Sequence, residues 1–170
     1  CDPAGSYLTV DDRYALLAIA NKVRSWIDSN NIKQLLINST NAKGDISNNE
    51  IKRLDKQWRD NRGREMENSI TLISDVFDSQ ISKKLKRLKK TSEGLFDEII
   101  VTDKQGLNVG LTDISSDYWQ GDEEKYLQTV LSDNSKVFID GIRFDSSSST
   151  FQSQISFSII DEFEGPVGMV

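Results

Sequence analysis

The chain has no histidine and a single cysteine, Cys1, among its 170 residues. Without imidazole there is no Ser-His-Asp relay, no HExxH metal motif and no Cys/His zinc site. One cysteine closes no intrachain disulfide, so cysteine usage leaves the redox compartment open. No apolar run approaches the roughly 18 to 20 residues of a membrane-spanning helix. Positive charge is outnumbered too. With 27 acidic and 21 basic side chains, the net charge is −6 and the pI near 4.8, which argues against a nucleic-acid partner. No glycine-rich phosphate loop occurs, and Gly106 and Gly110 are placed to serve turns. Nothing in the residue set supplies a cofactor site.

What is present suits one domain large enough to bury a core. The first ninety-odd residues carry helical periodicity. Thr9 and Asp11 offer N-caps before Tyr14, Leu17, Ala18 and Ile19, and Val23, Trp26 and Ile27 continue that face toward Leu35-Leu36-Ile37. Asn38 to Asp45 reads as a polar break. Ser47 and Glu50 then form a capping box, with Ile46 and Ile51 at the positions of a hydrophobic staple. Ile51, Leu54 and Trp58 stripe that helix, and Gly63 offers a stop. A third helix is predicted from about Glu67 to Lys89. The basic cluster Lys83-Lys84, Lys86-Arg87 and Lys89-Lys90 lies in its last turns, suiting either the helix dipole or lipid headgroups.

From Gly94 the period becomes two. Phe96 to Thr102 and Leu107 to Thr112 predict a hairpin, and Asp122 to Leu131 a short helix. Val137 to Asp145 predicts one strand. Phe151, Ser153, Ile155, Phe157 and Ile159 alternate with Gln152, Gln154, Ser156 and Ser158, predicting a strand with one apolar and one polar face. Phe77, Ile81, Phe157 and Ile159 are expected to share one core. Helices first and strands second make the class α+β, a single domain over 11–170 after a tether at 1–10.

Three groups of residues are candidates for function, each with a plain alternative. Asp117-Tyr118-Trp119-Gln120-Gly121-Asp122-Glu123 sets two aromatics among acids. Tyr118 and Trp119 either line a pocket or close one end of the sheet, and Asp122 either meets a ligand or caps the short helix. On the strand 137–145, Arg143 and Asp145 share a face by period two and Asp140 takes the other, unless Gly141 introduces a bulge. These charges either point into a site or to solvent. Trp58-Arg59 with Arg62 and Arg64 forms a basic patch, an anion contact or an ordinary amphipathic helix. Acid pairs such as Asp97-Glu98 and Asp161-Glu162 have no fixed separation of the kind a glycosidase requires. The chain is therefore read as a non-enzyme, with a carboxylate hydrolase as the competing class.

The hairpin Val101-Thr102-Asp103 to Gly106-Leu107-Asn108-Val109-Gly110, followed by Ser116 to Glu123 (SDYWQGDE), resembles the extracytoplasmic Cache (PDC) sensor family, itself similar to PAS domains. The resemblance implies N-terminal helices on one face of an antiparallel sheet of about five strands and a ligand cavity on the other. It implies recognition of a small polar organic molecule by Tyr118, Trp119, Asp122, Asp140, Arg143 and Asp145, with the signal passed to a membrane partner. Three acids and one arginine favour a ligand bearing a cationic group over a dicarboxylate. The arginine-then-tryptophan signature of amino-acid-binding relatives is missing, since Gln120 to Tyr126 contains no arginine. Family members usually continue several residues beyond the position of Val170, so a truncated last strand is expected. Cys1 followed by Asp2-Pro3-Ala4-Gly5-Ser6 resembles a mature bacterial lipoprotein N-terminus, implying a lipid anchor on the inner membrane, facing the periplasm. Pairing through the N-terminal helix would make a homodimer. A lipid-anchored adaptor that binds no ligand is the remaining alternative.

Overall fold

A computed structural model describes residues 8–63, 71–132, 135–145 and 150–170. The class is α+β: among the described residues five helices precede a five-stranded antiparallel sheet, and a sixth stands between its second and third strands in the chain. Helix α1 spans Val10–Ser29 and α2 Ile32–Lys43, followed by α3 Asn48–Asn61, α4 Thr71–Phe77 and α5 Gln80–Thr91. Strands β1 Ile100–Asp103 and β2 Asn108–Leu111 come next. Helix α6 (Glu124–Tyr126) runs into a π-helical stretch, Leu127–Ser132. Strands β3 Val137–Ile139, β4 Arg143–Asp145, β5 Thr150–Gln152, β6 Ile155–Asp161 and β7 Gly165–Met169 complete the chain. The sheet order is β2-β1-β7-β6-β3, while β4 and β5 pair separately.

Caps explain where the helices start and stop. At α1, Thr9 Oγ1 accepts from the Asp12 amide at 3.1 Å and the Asp12 carboxylate accepts from the Thr9 amide at 2.8 Å, a complete capping box. The expected run from Thr9 to Ile37 is broken, however. Asn31 takes the left-handed conformation (φ 55°), which asparagine tolerates better than most residues, and a second helix begins there. That helix overruns the expected break at Asn38 and ends at Gly44. Ser47 caps α3 as predicted, but Glu50 pairs with Arg53 instead of closing the box. The expected third helix is also split. Ser79 Oγ accepts from the Ser82 amide at 3.0 Å and restarts the helix as α5. Ser82 Oγ then donates to Val76 O at 2.6 Å and accepts from Leu111 N at 2.9 Å, tying the helix pair to β2.

The core divides by sheet face. On one face α1, α2 and α5 bury Ala20, Ile27, Ile32, Leu36, Ile81 and Leu85 against Val101, Val109, Phe157, Ile159 and Val167. Ile81, Phe157 and Ile159 share this core as expected. Phe77 packs instead with Trp58, Ile73, Leu111 and Tyr118 in a second cluster formed with α3 and α4. On the opposite face Met169 meets Tyr126 and Val130 beneath α6 and the π-helical stretch. Two expected strands are each divided. The 137–145 segment breaks at Asp140-Gly141, where the Asp140 carboxylate accepts from the Gly141 amide at 2.8 Å and Ser153 Oγ donates to Asp140 O at 2.8 Å. The 151–159 segment breaks after Gln152. Along β6, Ser156 and Ser158 do not form a solvent face: both are buried beneath the 124–132 segment.

Candidate functional site

The turn between β1 and β2 forms as its sequence predicts. Asp103 Oδ1 accepts from the amides of Gln105 (2.9 Å) and Leu107 (3.0 Å), and Gly106 supplies φ 82°. A Cβ on Gly106 would sit 2.7 Å from the Gly121 backbone, so turn and aromatic loop are packed together. Trp119 Nε1 donates to Gln105 O at 2.8 Å and lies against Gly121, and Tyr126 Oη donates to Lys104 O. The Gln120 amide donates to Gly106 O at 2.7 Å and the Asn108 amide to Tyr118 O at 3.0 Å. The loop thus runs beside β2 as an added edge.

A residue outside the loop fixes it. Asp55 of α3, 7% exposed, accepts at Oδ1 from the amides of Tyr118 (2.9 Å) and Trp119 (3.1 Å), and its Oδ2 pairs with Arg59 at 2.8 Å. Trp58, one turn along the same face of α3, stacks on Tyr118 at 5.4 Å between centroids and donates to Ser115 O at 2.9 Å. Tyr118 is only 1% exposed. Its burial, with Asp103 and Asp75 nearby, holds its phenol well above the ordinary value.

The six expected site residues therefore separate. Tyr118 lies in the second core cluster. Trp119 and Asp122 line an open groove with Asp55, Arg59 and Glu123. Asp122 is exposed, and the residue before α6 is Glu123, which makes no side-chain cap. Asp140 stands at the end of β3. Arg143 and Asp145 fall on β4, opposite Gln152 and Thr150 of β5, and are placed by backbone alone. Cys1 lies outside the described residues, as does Arg64 of the basic patch.

A second, more enclosed cavity lies elsewhere. About 490 Å³ opens at the end of the sheet where β1 and β6 begin, walled by α1 (Leu16, Ile19, Val23), by Glu98 to Ile100 and by Gln152 to Phe157. Met169 and Lys125 bound it on the face beneath α6. Lys125 is nearly buried and pairs with Glu123 at 2.8 Å. Glu98 is exposed at the cavity, yet desolvation by the surrounding protein raises its carboxyl above the ordinary value; Asp113 pushes the same way and Lys125 opposes.

Behind Met169 the sheet carries an unusual row. Asn108, Thr102, Met169 and Ser158 are direct partners across β2, β1, β7 and β6, so their side chains project from one face. Thr102 Oγ1, Asn108 Oδ1 and Ser158 Oγ are all buried and lack a hydrogen-bond partner. Buried polar atoms without partners cost about 1–3 kcal/mol each. Sequence reasoning missed these residues, although an asparagine and a threonine inside apolar strands are a visible anomaly. Glu98, Lys125 and Asp55 carry no comparable local signal.

Compared with known proteins, the chain matches no family model, no curated protein and no solved structure.

Proposed function

We propose that the chain is an extracytoplasmic small-molecule sensing domain of the Cache (PDC) type. The buried row Thr102, Asn108 and Ser158 is the observation that carries this reading. A face built only for stability would favour apolar side chains at Thr102 and Ser158, because buried hydroxyls without partners are a standing cost. Asn108 leaves only Oδ1 unpaired, its Nδ2 donating to Ser115 Oγ and Asp117 O. A ligand entering past Glu98 and Lys125 and displacing Met169 would supply the missing hydrogen bonds. The cavity itself opens at the sheet end between α1 and the strands, and only the buried row behind Met169 lies on the face opposite α1, α2 and α5.

The ligand class this favours is a small polar organic molecule. Glu98 and Lys125 offer one charge of each sign at the entrance, and the uncharged row beyond them suits hydroxyl or amide groups. Tyr118 and Trp119 then serve as the rigid frame of the loop that carries Lys125 and α6. Output passes to a membrane-bound partner.

A second reading rests on the shape of the cavity. It is flanked by β1 on one side and β6 on the other, directly in line with β7, so an extended polypeptide would fit it by strand addition. One screen separates the two. A thermal-shift survey of organic acids, amines and amino acids should yield a compound whose stabilisation saturates, reaching about 2.7 kcal/mol at 100-fold over its Kd. Its effect should vanish on cavity substitutions such as Ile155→Trp. If no small molecule shifts the transition while extended peptides do, strand addition is correct and the sensing assignment fails.

A further inference from the structure

We propose that the outward face of α5 docks on anionic lipid headgroups. Six cations stand in this 12-residue helix: Lys83, Lys84, Lys86, Arg87, Lys89 and Lys90. Two have internal roles. Lys89 pairs with Asp113 at 2.6 Å, while Lys86 donates to Phe77 O at 2.7 Å and covers the Phe77 ring. The helix dipole accounts for cations in the last turn only, which leaves Lys83, Lys84 and Arg87 unexplained.

Lys83, Arg87 and Lys90 follow one another at helical spacing and are all exposed, opposite the buried Ile81, Ser82 and Leu85. Among the described residues none of these three, nor Lys84, forms an ion pair with a carboxylate. No acidic residue interrupts the helix. In a chain of net charge −6, such a face concentrates positive charge along one side of this helix.

The chemistry of the face favours a headgroup layer over an acidic protein. Protein interfaces centre on buried aromatic or aliphatic anchors, and this stripe has none within it. Its apolar element stands at the end instead, where Leu95 is 55% exposed just beyond the helix. Lysine-rich helical faces with an apolar residue at the border are the pattern of interfacial electrostatic binding. Leu95 also borders the cavity, but the cationic stripe does not, so the charge reversals hold or fail separately from the sensing assignment.

Co-sedimentation of the chain with vesicles tests it, comparing phosphatidylcholine alone with phosphatidylcholine containing about one-third phosphatidylglycerol, at low and high salt. Binding is expected only with the anionic lipid and at low salt, weakening about fivefold for each cation removed. The triple reversal Lys83→Glu, Arg87→Glu, Lys90→Glu should abolish it, and Leu95→Ser should reduce it. A control with the same charge change elsewhere, Arg13→Glu, Lys22→Glu, Lys52→Glu, should retain most of the binding. Circular dichroism on each variant checks that the fold is kept. Equal binding to both vesicle types, equal loss in the control, or binding to a soluble polyglutamate but not to vesicles would overturn the proposal.

Discussion

Replacing Asp55 by alanine should loosen the aromatic loop more than any single change within the loop's polar residues. The carboxylate is the common acceptor for the Tyr118 and Trp119 amides at 2.9 and 3.1 Å, and the first of these is fully buried. Hydrogen bonds to a charged partner contribute about 1.5–3 kcal/mol each, and a buried amide left without an acceptor loses about 1–3 kcal/mol. Water reaching the half-buried Trp119 amide offsets part of this. The Arg59 side chain is 54% exposed, so its pairing with Asp55 adds little. The net loss should be about 3 kcal/mol, which for a domain of this size lowers Tm by roughly 6–12 °C. Asp55→Asn keeps a neutral acceptor and should lose about half as much. Urea denaturation followed by tryptophan fluorescence measures both, since Trp58 stacks on Tyr118. A loss below about 1 kcal/mol for the alanine variant, or equal losses for the two, would refute the bracing role.

Three further outcomes follow from the geometry. Burial raises the Asp103 carboxyl, so above the ordinary carboxylate range the native state binds more protons than the unfolded chain and stability falls as pH rises through that window. Asp103→Asn keeps an acceptor for the Gln105 and Leu107 amides, so its Tm relative to wild type should climb between about pH 4 and pH 7; a constant difference would contradict this. Gly168→Ala would drive a Cβ into Thr102 O and Leu36, and a cost of about 3 kcal/mol or more is expected in denaturant titration, with a neutral result showing that β1 and β7 sit further apart. Val10, Tyr14 and Leu17 lie on one side of α1, with Tyr14 70% exposed, so sedimentation should detect self-association that Tyr14→Asp removes; a monomer at all concentrations would exclude pairing through α1.

The parts of the fold legible in the sequence are those fixed by local chemistry. The β1–β2 turn was readable because Asp103 and Gly106 supply its acceptor and its positive φ within four residues. The Thr9 and Ser47 caps were readable for the same reason. The helix breaks were not, since apolar spacing continues across Asn31 and Ser79 and only the left-handed backbone or the serine cap interrupts it. Period two correctly placed Ser156 and Ser158 on the face opposite Phe157 and Ile159. It carried no information about what covers that face, and α6 covers it with buried contacts. Tyr118 shows the same limit: its neighbours in sequence are polar, while its surroundings come from α3, some sixty residues earlier. Lys125 and Glu98 meet at the cavity only through tertiary packing.

Paired stability and binding measurements on Thr102→Val and Ser158→Ala test the central claim most directly. If the row is a ligand floor, each substitution removes a buried hydroxyl that has no partner in the free protein. Free-state stability should then hold or rise by about 1 kcal/mol while affinity for the screened ligand falls at least tenfold. That opposite movement is the signature of polar groups kept for binding. Loss of stability in both variants with unchanged affinity would mean that the hydroxyls serve the fold, and the sensing assignment would lose the observation on which it stands.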